Sequence, residues 1–75
     1  MKAVLQYRAS PGFEQQIISV APPWLNVVVV DEFEKEAFAA EMQDADVLLH
    51  VLKEVTSEVI RNSPNLRLIQ KIGVG

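Results

Sequence analysis

The sequence predicts an α/β fold in which a parallel, flavodoxin-like sheet has helices on both faces. Short apolar runs of strand length alternate with stretches of helical periodicity along the 75 residues. Each pair of apolar runs is separated by enough chain for a helical crossover, which parallel strands require. The predicted element order is β-α-β-α-β-α-β, and the predicted strand order is 2-1-3-4.

The first half of the chain has clear start and stop signals. The first strand is predicted at residues 2–7, followed by a helix with Ser10 as its N-cap and Pro11 at the first helical position. Two prolines end that helix, and residues 24–30 form a second strand whose four consecutive valines are expected to have both faces covered. The helix is expected to turn four apolar residues toward the sheet: Phe13, Ile17, Ile18 and Ala21.

The second half continues the alternation. Asp31 is predicted to start the second helix, with Glu34 at the spacing of a capping box, and residues 46–52 form the third strand. Thr56 caps a short third helix, and residues 66–72 are expected to form a buried fourth strand.

The second helix is expected to bury Phe33, Ala37, Ala40 and Met42, with Phe38 at the margin of this stripe. A hydrophobic staple is expected between Val55 and Ile60. The set Phe13, Trp24, Phe33 and Phe38 is expected in the core.

Composition excludes several classes of protein. The chain is 49% hydrophobic, which suits one small globular domain, and it contains no cysteine, so disulfides and cysteine zinc sites are absent. The formal net charge of −3 disfavours binding to nucleic acid. No stretch is long enough to cross a membrane and no signal peptide is evident, so we expect a cytoplasmic protein.

The predicted topology brings four loops to one edge of the sheet. All strands of a parallel sheet end on the same side, so residues 8–10, Asp31, residues 50–54 and residues 73–75 are expected to meet there. Ligands bind outside this edge, near the point where the strand order reverses, which lies between the first and third strands. We therefore expect the binding site between the loop at residues 50–54 and the terminal Gly-Val-Gly.

The side chains at this edge offer little catalytic chemistry. His50 is the only histidine, and two interpretations are open: it turns toward the wetter face of its strand, which we favour, or it contacts an anionic substrate. Ser10 is the only serine at the edge, but nothing marks it as a nucleophile. Metal binding by His50 with Asp31 or Asp46 lacks a ligand spacing on one element. Arg8 is either an exposed loop residue or a partner for a carboxylate.

The terminal glycine turn also has two interpretations. It is a tight turn after the fourth strand, or the N–H groups of Val74 and Gly75 form a small concavity that binds a carboxylate. It is not a dinucleotide-binding fingerprint, which needs a third glycine and a helix that follows.

Three segments resemble one family. Residues 45–49 (ADVLL), 55–60 (VTSEVI) and 64–75 (PNLRLIQKIGVG) are similar to the N-terminal part of the D-isomer-specific 2-hydroxyacid dehydrogenases, which include phosphoglycerate dehydrogenase and hydroxypyruvate reductase. The resemblance implies that residues 1–75 are the first portion of the substrate domain. The domain that binds NAD or NADP, and the catalytic arginine, glutamate and histidine, would then lie outside this chain. His50 is not the catalytic histidine of that family.

The resemblance also implies specific roles. Val74 and Gly75 match the positions whose main-chain N–H groups bind the substrate carboxylate, and His50 takes the basic position in the loop after the third strand. The complete enzyme would be a homodimer that transfers hydride to or from a 2-oxo or 2-hydroxy acid, and the segment alone would be inactive. The alternative is a self-contained small α/β module with a binding or regulatory role and no catalysis.

Overall fold

Four parallel strands form a single sheet in the computed structural model, which describes residues 1–72. The strand order is β2-β1-β3-β4, and the strands alternate with helices, so the predicted flavodoxin-like fold is confirmed. The elements in chain order are β1 Lys2–Gln6, α1 Pro11–Val20, β2 Asn26–Val30, α2 Lys35–Met42, β3 Val47–His50, α3 Ser57–Arg61 and β4 Leu68–Lys71.

The first strand occupies the centre of the sheet. Val4 pairs with Val28 of β2 on one side and with Leu48 of β3 on the other. The side chains at the middle of β1 are completely or almost completely buried: Ala3, Val4 and Leu5. Burial on both faces explains why this strand is a continuous apolar run.

The main core lies between the sheet and α2. Phe38 and Met42, four residues apart on α2, pack against Val4 and Leu48 of the central strands, with Ala45 completing the cluster. Side chains at this spacing share one face of a helix. The predicted stripe of α2 was wrong in part, because Phe38 is buried whereas Phe33, Ala37 and Ala40 are exposed.

The start of α2 explains part of that difference. The carboxylate of Asp31 accepts a hydrogen bond from the Phe33 N–H at 2.9 Å, and its carbonyl accepts one from the Glu34 N–H at 3.0 Å. Asp31 therefore stabilises a turn, as Asp commonly does through its own side chain. The helix begins at Lys35 rather than Asp31, no side-chain capping bond is made by Glu34, and Phe33 lies in the loop.

The N-terminal cap of α1 was predicted correctly, but its buried stripe was not. The Ser10 hydroxyl accepts a hydrogen bond from the Phe13 N–H at 3.2 Å, and Pro11 occupies the first turn. No residue of α1 is buried, and Ile18 is 46% exposed. The helix packs mainly along β2, an edge strand, so it covers little of the sheet.

The edge strands are also more exposed than expected. Of the four valines in β2 only Val30 is buried, and the preceding Trp24 is 65% exposed rather than in the core. All four residues of β4 are exposed, although a buried strand was expected. Within residues 1–72 each of these strands pairs with one neighbour only, which leaves its outer side uncovered.

The third helix has the predicted cap. The Thr56 hydroxyl accepts a hydrogen bond from the Val59 N–H at 3.3 Å, and both Val55 and Val59 pack against the core. Ile60, the expected partner of Val55 in a staple, is 50% exposed. The residue that turns inward from this helix is thus Val59. No helix within residues 1–72 has the length and apolar character needed to cross a membrane.

Lys2 links β1, the central strand, to the C-terminal end of α2. Its ammonium donates to the Glu41 carbonyl at 2.9 Å and lies 2.9 Å from the Glu41 carboxylate, and it also pairs with Asp44. Desolvation lowers the pKa of Lys2, but the hydrogen bonds to Asp44 and Glu41 outweigh it and raise that pKa. The hydrogen bond from Lys2 lowers the pKa of Asp44.

These opposite shifts predict how the ion pair contributes to stability as pH changes. Because the pKa of Asp44 is lowered on folding, its contribution is present above the ordinary value of 3.8 and is lost as pH falls through the lowered pKa. Because the pKa of Lys2 is raised, its contribution is present below 10.5 and is lost as pH rises through the raised pKa.

We therefore expect Asp44→Asn to destabilise the chain between these limits and to have little effect in strong acid. The measurement is the midpoint of urea-induced unfolding for both proteins across pH. Glu36→Gln, which removes an exposed carboxylate from the first turn of α2, is the matched control and should change the midpoint little. An Asp44→Asn effect that is equally large in strong acid would contradict the assigned ion pair.

Candidate functional site

The carboxyl ends of the strands meet at one edge, as predicted. At this edge Gln6 of β1 pairs with Val30 of β2 and with His50 of β3, and His50 pairs with Lys71 of β4. The strand order reverses at β1, whose neighbours β2 and β3 are reached by chains that leave in opposite directions. Open α/β sheets bind ligands beside such a reversal. The loops that follow β1, β2 and β3 are therefore the candidate site.

His50 holds the loop that follows its strand. Its Nδ1 atom lies 3.0 Å from the carbonyl oxygen of Lys53. A carbonyl oxygen can only accept, so Nδ1 must carry the proton in this contact. In the neutral ring Nε2 is then an acceptor, and His50 can donate to an anion through Nε2 only when it is protonated.

The chain that leads to the glycine turn runs beside His50. The N–H of Ile72 donates to the carbonyl oxygen of His50 at 2.8 Å. The predicted carboxylate-binding residues Val74 and Gly75 lie outside the described residues 1–72. Ile72, the last described residue before that turn, is nevertheless bonded to His50 at the end of β3.

Three loops contact one another through an aromatic ring. The Arg8 guanidinium carbon lies 5.4 Å from the centre of the Phe33 ring, and the Lys53 ammonium lies 5.5 Å from the same centre. Both distances are typical of cation–π contacts. Arg8 also pairs with Asp31, with Nε 3.5 Å from the carboxylate. We refer to Arg8, Phe33 and Lys53 as the edge cluster.

Sequence reasoning found only part of the edge cluster. Arg8 was considered as a partner for a carboxylate, Phe33 was assigned to the core, and Lys53 was not singled out. A signal was present, because each residue follows the end of a strand by two or three positions. Their convergence depended on the loop conformations, which strand periodicity does not determine.

A cleft of about 330 Å³ lies next to the edge cluster, between α2 and α3. Phe38, Met42 and Val59 provide its apolar surface, and Lys53 also lines it. Gln6 and Glu32 are both only 8% exposed and contribute polar groups. Apolar surface with a few polar groups is the usual composition of a small-molecule pocket.

Ser10, Asp31 and Asp46, the other candidate residues, do not form a site. Ser10 has a structural role, and the two aspartates lie far apart. The hydroxyl of Ser10 accepts the capping hydrogen bond of α1, so it is engaged as an acceptor. Asp46 precedes β3 and accepts from the Lys2 N–H at 2.8 Å, at the opposite end of the sheet from Asp31. Within residues 1–72 no three histidine, aspartate or glutamate side chains are grouped closely enough to hold a metal ion.

The residues that the structure describes, 1–72, do not fit a dinucleotide cofactor. Such a site needs a glycine-rich loop between a strand and a helix, with the pyrophosphate at the helix N-terminus. The chain has three glycines, and only Gly12 lies at the first strand-to-helix connection. Gly12 lacks a positive φ, and its α-carbon faces open space, so it serves neither a tight turn nor a close backbone approach.

Comparison with known proteins assigns this α/β chain to a family. The model of the D-isomer specific 2-hydroxyacid dehydrogenase, catalytic domain, matches residues 7–75. The chain therefore belongs to this family, and the resemblance found in the sequence is confirmed. Neither the comparison with curated proteins nor the comparison with solved structures gave a match.

Proposed function

We propose that this chain is the N-terminal portion of the substrate domain of an NAD(P)-dependent oxidoreductase. The complete enzyme transfers hydride between nicotinamide and the C2 carbon of a D-2-hydroxy acid or 2-oxo acid. The family match over residues 7–75 is the observation that carries this proposal. The nucleotide-binding domain belongs to a part of the protein outside residues 1–75, in keeping with the absence of a glycine-rich loop from the sequence.

The contribution of this segment is to bind the substrate carboxylate. In the proposal the main-chain N–H groups of Val74 and Gly75 donate to it, and His50 lies beside them. The hydrogen bond from Ile72 to His50 supports this arrangement, because it brings the chain before the glycine turn against the end of β3. Successive main-chain N–H groups in a turn form a concavity suited to an anion.

The chemical step uses groups outside this segment. Hydride transfer to C2 leaves an alkoxide that needs a proton, and a general acid with a suitable pKa must supply it. His50 is poorly placed for that role in its neutral form, because its Nδ1 proton is donated to the Lys53 carbonyl.

We propose that the complete enzyme is cytoplasmic and a homodimer.

The proposal predicts a sharp difference between the complete protein and residues 1–75 alone. The complete protein should oxidise NADH or NADPH when a 2-oxo acid such as glyoxylate, hydroxypyruvate or pyruvate is added. The isolated segment should show no turnover and no binding of the nicotinamide cofactor. Loss of nicotinamide absorbance measures turnover, and calorimetry measures binding.

Two outcomes would contradict the proposal. A complete protein that reduces no 2-oxo acid across the panel is not a 2-hydroxyacid dehydrogenase. Nicotinamide oxidation by the pure segment would show that the cofactor site lies within residues 1–75. Dialysed segment mixed with a known dehydrogenase is the control for inhibitors in the preparation.

A further inference from the structure

The cleft between α2 and α3 contains a buried carboxylate for which the described chain supplies no partner. Glu32 is only 8% exposed, yet within residues 1–72 its side chain makes no hydrogen bond and no ion pair. In the same part of the chain, no fully enclosed side-chain oxygen or nitrogen lacks a partner. The unbonded oxygens of Glu32 must therefore reach accessible space, and the cleft that Glu32 lines provides it.

Gln6 faces the same cleft from the central strand. It pairs with Val30 of β2, which precedes Glu32 by two positions. Val4 and Val30 belong to the core cluster beneath α2, and side chains alternate along a strand, so Gln6 lies on the face of the sheet that α2 covers. Gln6 is also only 8% exposed, and its side chain makes no hydrogen bond to the described residues. The cleft thus holds a carboxylate and an amide that both have unused hydrogen-bonding capacity.

The other charged groups around the cleft do not neutralise Glu32. Lys35 and Lys53 line the cleft and are exposed to solvent, and neither ammonium lies within 4.0 Å of a carboxylate oxygen in residues 1–72. Glu54 and Glu58 line it too, so its ionisable lining has three acidic and two basic side chains. A cleft lined by net negative charge favours a cation.

We infer that this cleft is a binding site for a small primary alkylammonium ion. A buried carboxylate is costly unless it is paired, and an ionised carboxylate only accepts hydrogen bonds, whereas an ammonium only donates them. In the complex the ammonium donates to the carboxylate of Glu32 and to the amide oxygen of Gln6. The alkyl chain lies against the apolar wall of the cleft, which consists of Phe38, Met42 and Val59.

The size of the cleft and its lining distinguish this ligand from the substrate. A volume of about 330 Å³ is near the lower end of the usual range for ligand pockets, which suits a small molecule. None of the lining residues belongs to the proposed carboxylate-binding set of His50, Val74 and Gly75. The ammonium ion is therefore a ligand in addition to the 2-oxo acid, and it binds whether or not the complete protein is a dehydrogenase.

Calorimetry on the complete protein tests the site with three probes. Isopentylammonium carries both the charge and an apolar chain, and isopentanol has nearly the same shape without the charge. We expect isopentylammonium to bind at least about tenfold more tightly than isopentanol, the size of effect expected from one hydrogen bond to a charged group. Methylammonium keeps the charge but has little apolar surface to bury, and it should bind at least about tenfold more weakly than isopentylammonium.

Three variants locate the binding in the cleft. Glu32→Gln keeps the size of the side chain and removes its charge, so it should weaken the binding of isopentylammonium by about ten- to a hundredfold. Ala39 is an exposed residue of the lining, and Ala39→Phe should abolish binding by filling the cleft. Glu36→Gln removes an exposed carboxylate that does not line the cleft and should change the affinity by less than about twofold.

Several results would overturn the ammonium site. They are failure of the complete protein to bind isopentylammonium, equal affinity for isopentylammonium and isopentanol, and binding that persists in Glu32→Gln or in Ala39→Phe. The comparison of probes on the unmodified protein decides the question even where a variant does not fold. A protein that binds isopentylammonium as expected but reduces no 2-oxo acid would retain this site and reject the proposed function.

Discussion

Replacing Leu48 with alanine is expected to lower the free energy of unfolding by about 2–5 kcal/mol, the usual cost of this change in a packed core. Leu48 is completely buried at the centre of β3 and belongs to the cluster between the sheet and α2. Its removal leaves a cavity beside Val4 and Met42. A chain of 75 residues has a small core. We therefore expect loss of most native structure, measured by circular dichroism and urea-induced unfolding.

Leu68→Ala is the matched control for this prediction. Leu68 lies on β4 and is 51% exposed. Its replacement removes the same atoms as Leu48→Ala but leaves no buried cavity. Its effect should stay within about 0.5 kcal/mol, as for most surface substitutions. Similar losses at both positions would show that β4 is covered in the folded protein. The assignment of Leu48 to the core would fail if its replacement had no effect.

Replacing Phe38 with alanine is the second large change, with an expected cost of about 3–5 kcal/mol. Phe38 is 7% exposed and is the aromatic residue of the main core cluster. Phe33→Ala deletes the same side chain five positions earlier, where it is 61% exposed, and should cost about 0.5 kcal/mol or less. Midpoints of urea-induced unfolding for the two variants provide the comparison.

This pair also tests the correction to the sequence-based core. Sequence reasoning assigned both phenylalanines to the interior, with Phe38 at the margin. A larger loss from Phe33→Ala than from Phe38→Ala would restore that assignment and would place the helix start at Asp31. The expected order instead supports a turn at residues 31–34 and an exposed ring available to Arg8 and Lys53.

The topology was predictable because it depends on signals that are local and strong. Ser10, followed by Pro11, and Thr56 are typical residues at a helix N-terminus. The hydroxyls of Ser10 and Thr56 accept the expected capping hydrogen bonds. Once helices separate the strands, parallel pairing and a shared ligand edge follow from geometry. The placement of His50 at that edge followed in the same way.

Burial was less predictable because it depends on which neighbours a residue has. The valines of β2 and the apolar run of β4 have the composition of inner strands, yet each lies at an edge of the described sheet. Asp31 satisfies a capping pattern but uses its side chain for a turn, and this moves Phe33 out of the helix. The edge cluster and the cleft depend on how loops and helices pack together, which local sequence does not encode.

The central position of β1 has a consequence for how the chain folds. Ala3 finds its two partners at Val27 and Val47, so the middle of the sheet is completed only by residues far along the chain. Contacts between distant residues slow folding, because chain entropy is lost before any pairing is gained. During synthesis, at roughly 5–20 residues per second, the N-terminal strand leaves the ribosome first and waits for the third. Until then its apolar side chains are available to chaperones or to neighbouring nascent chains.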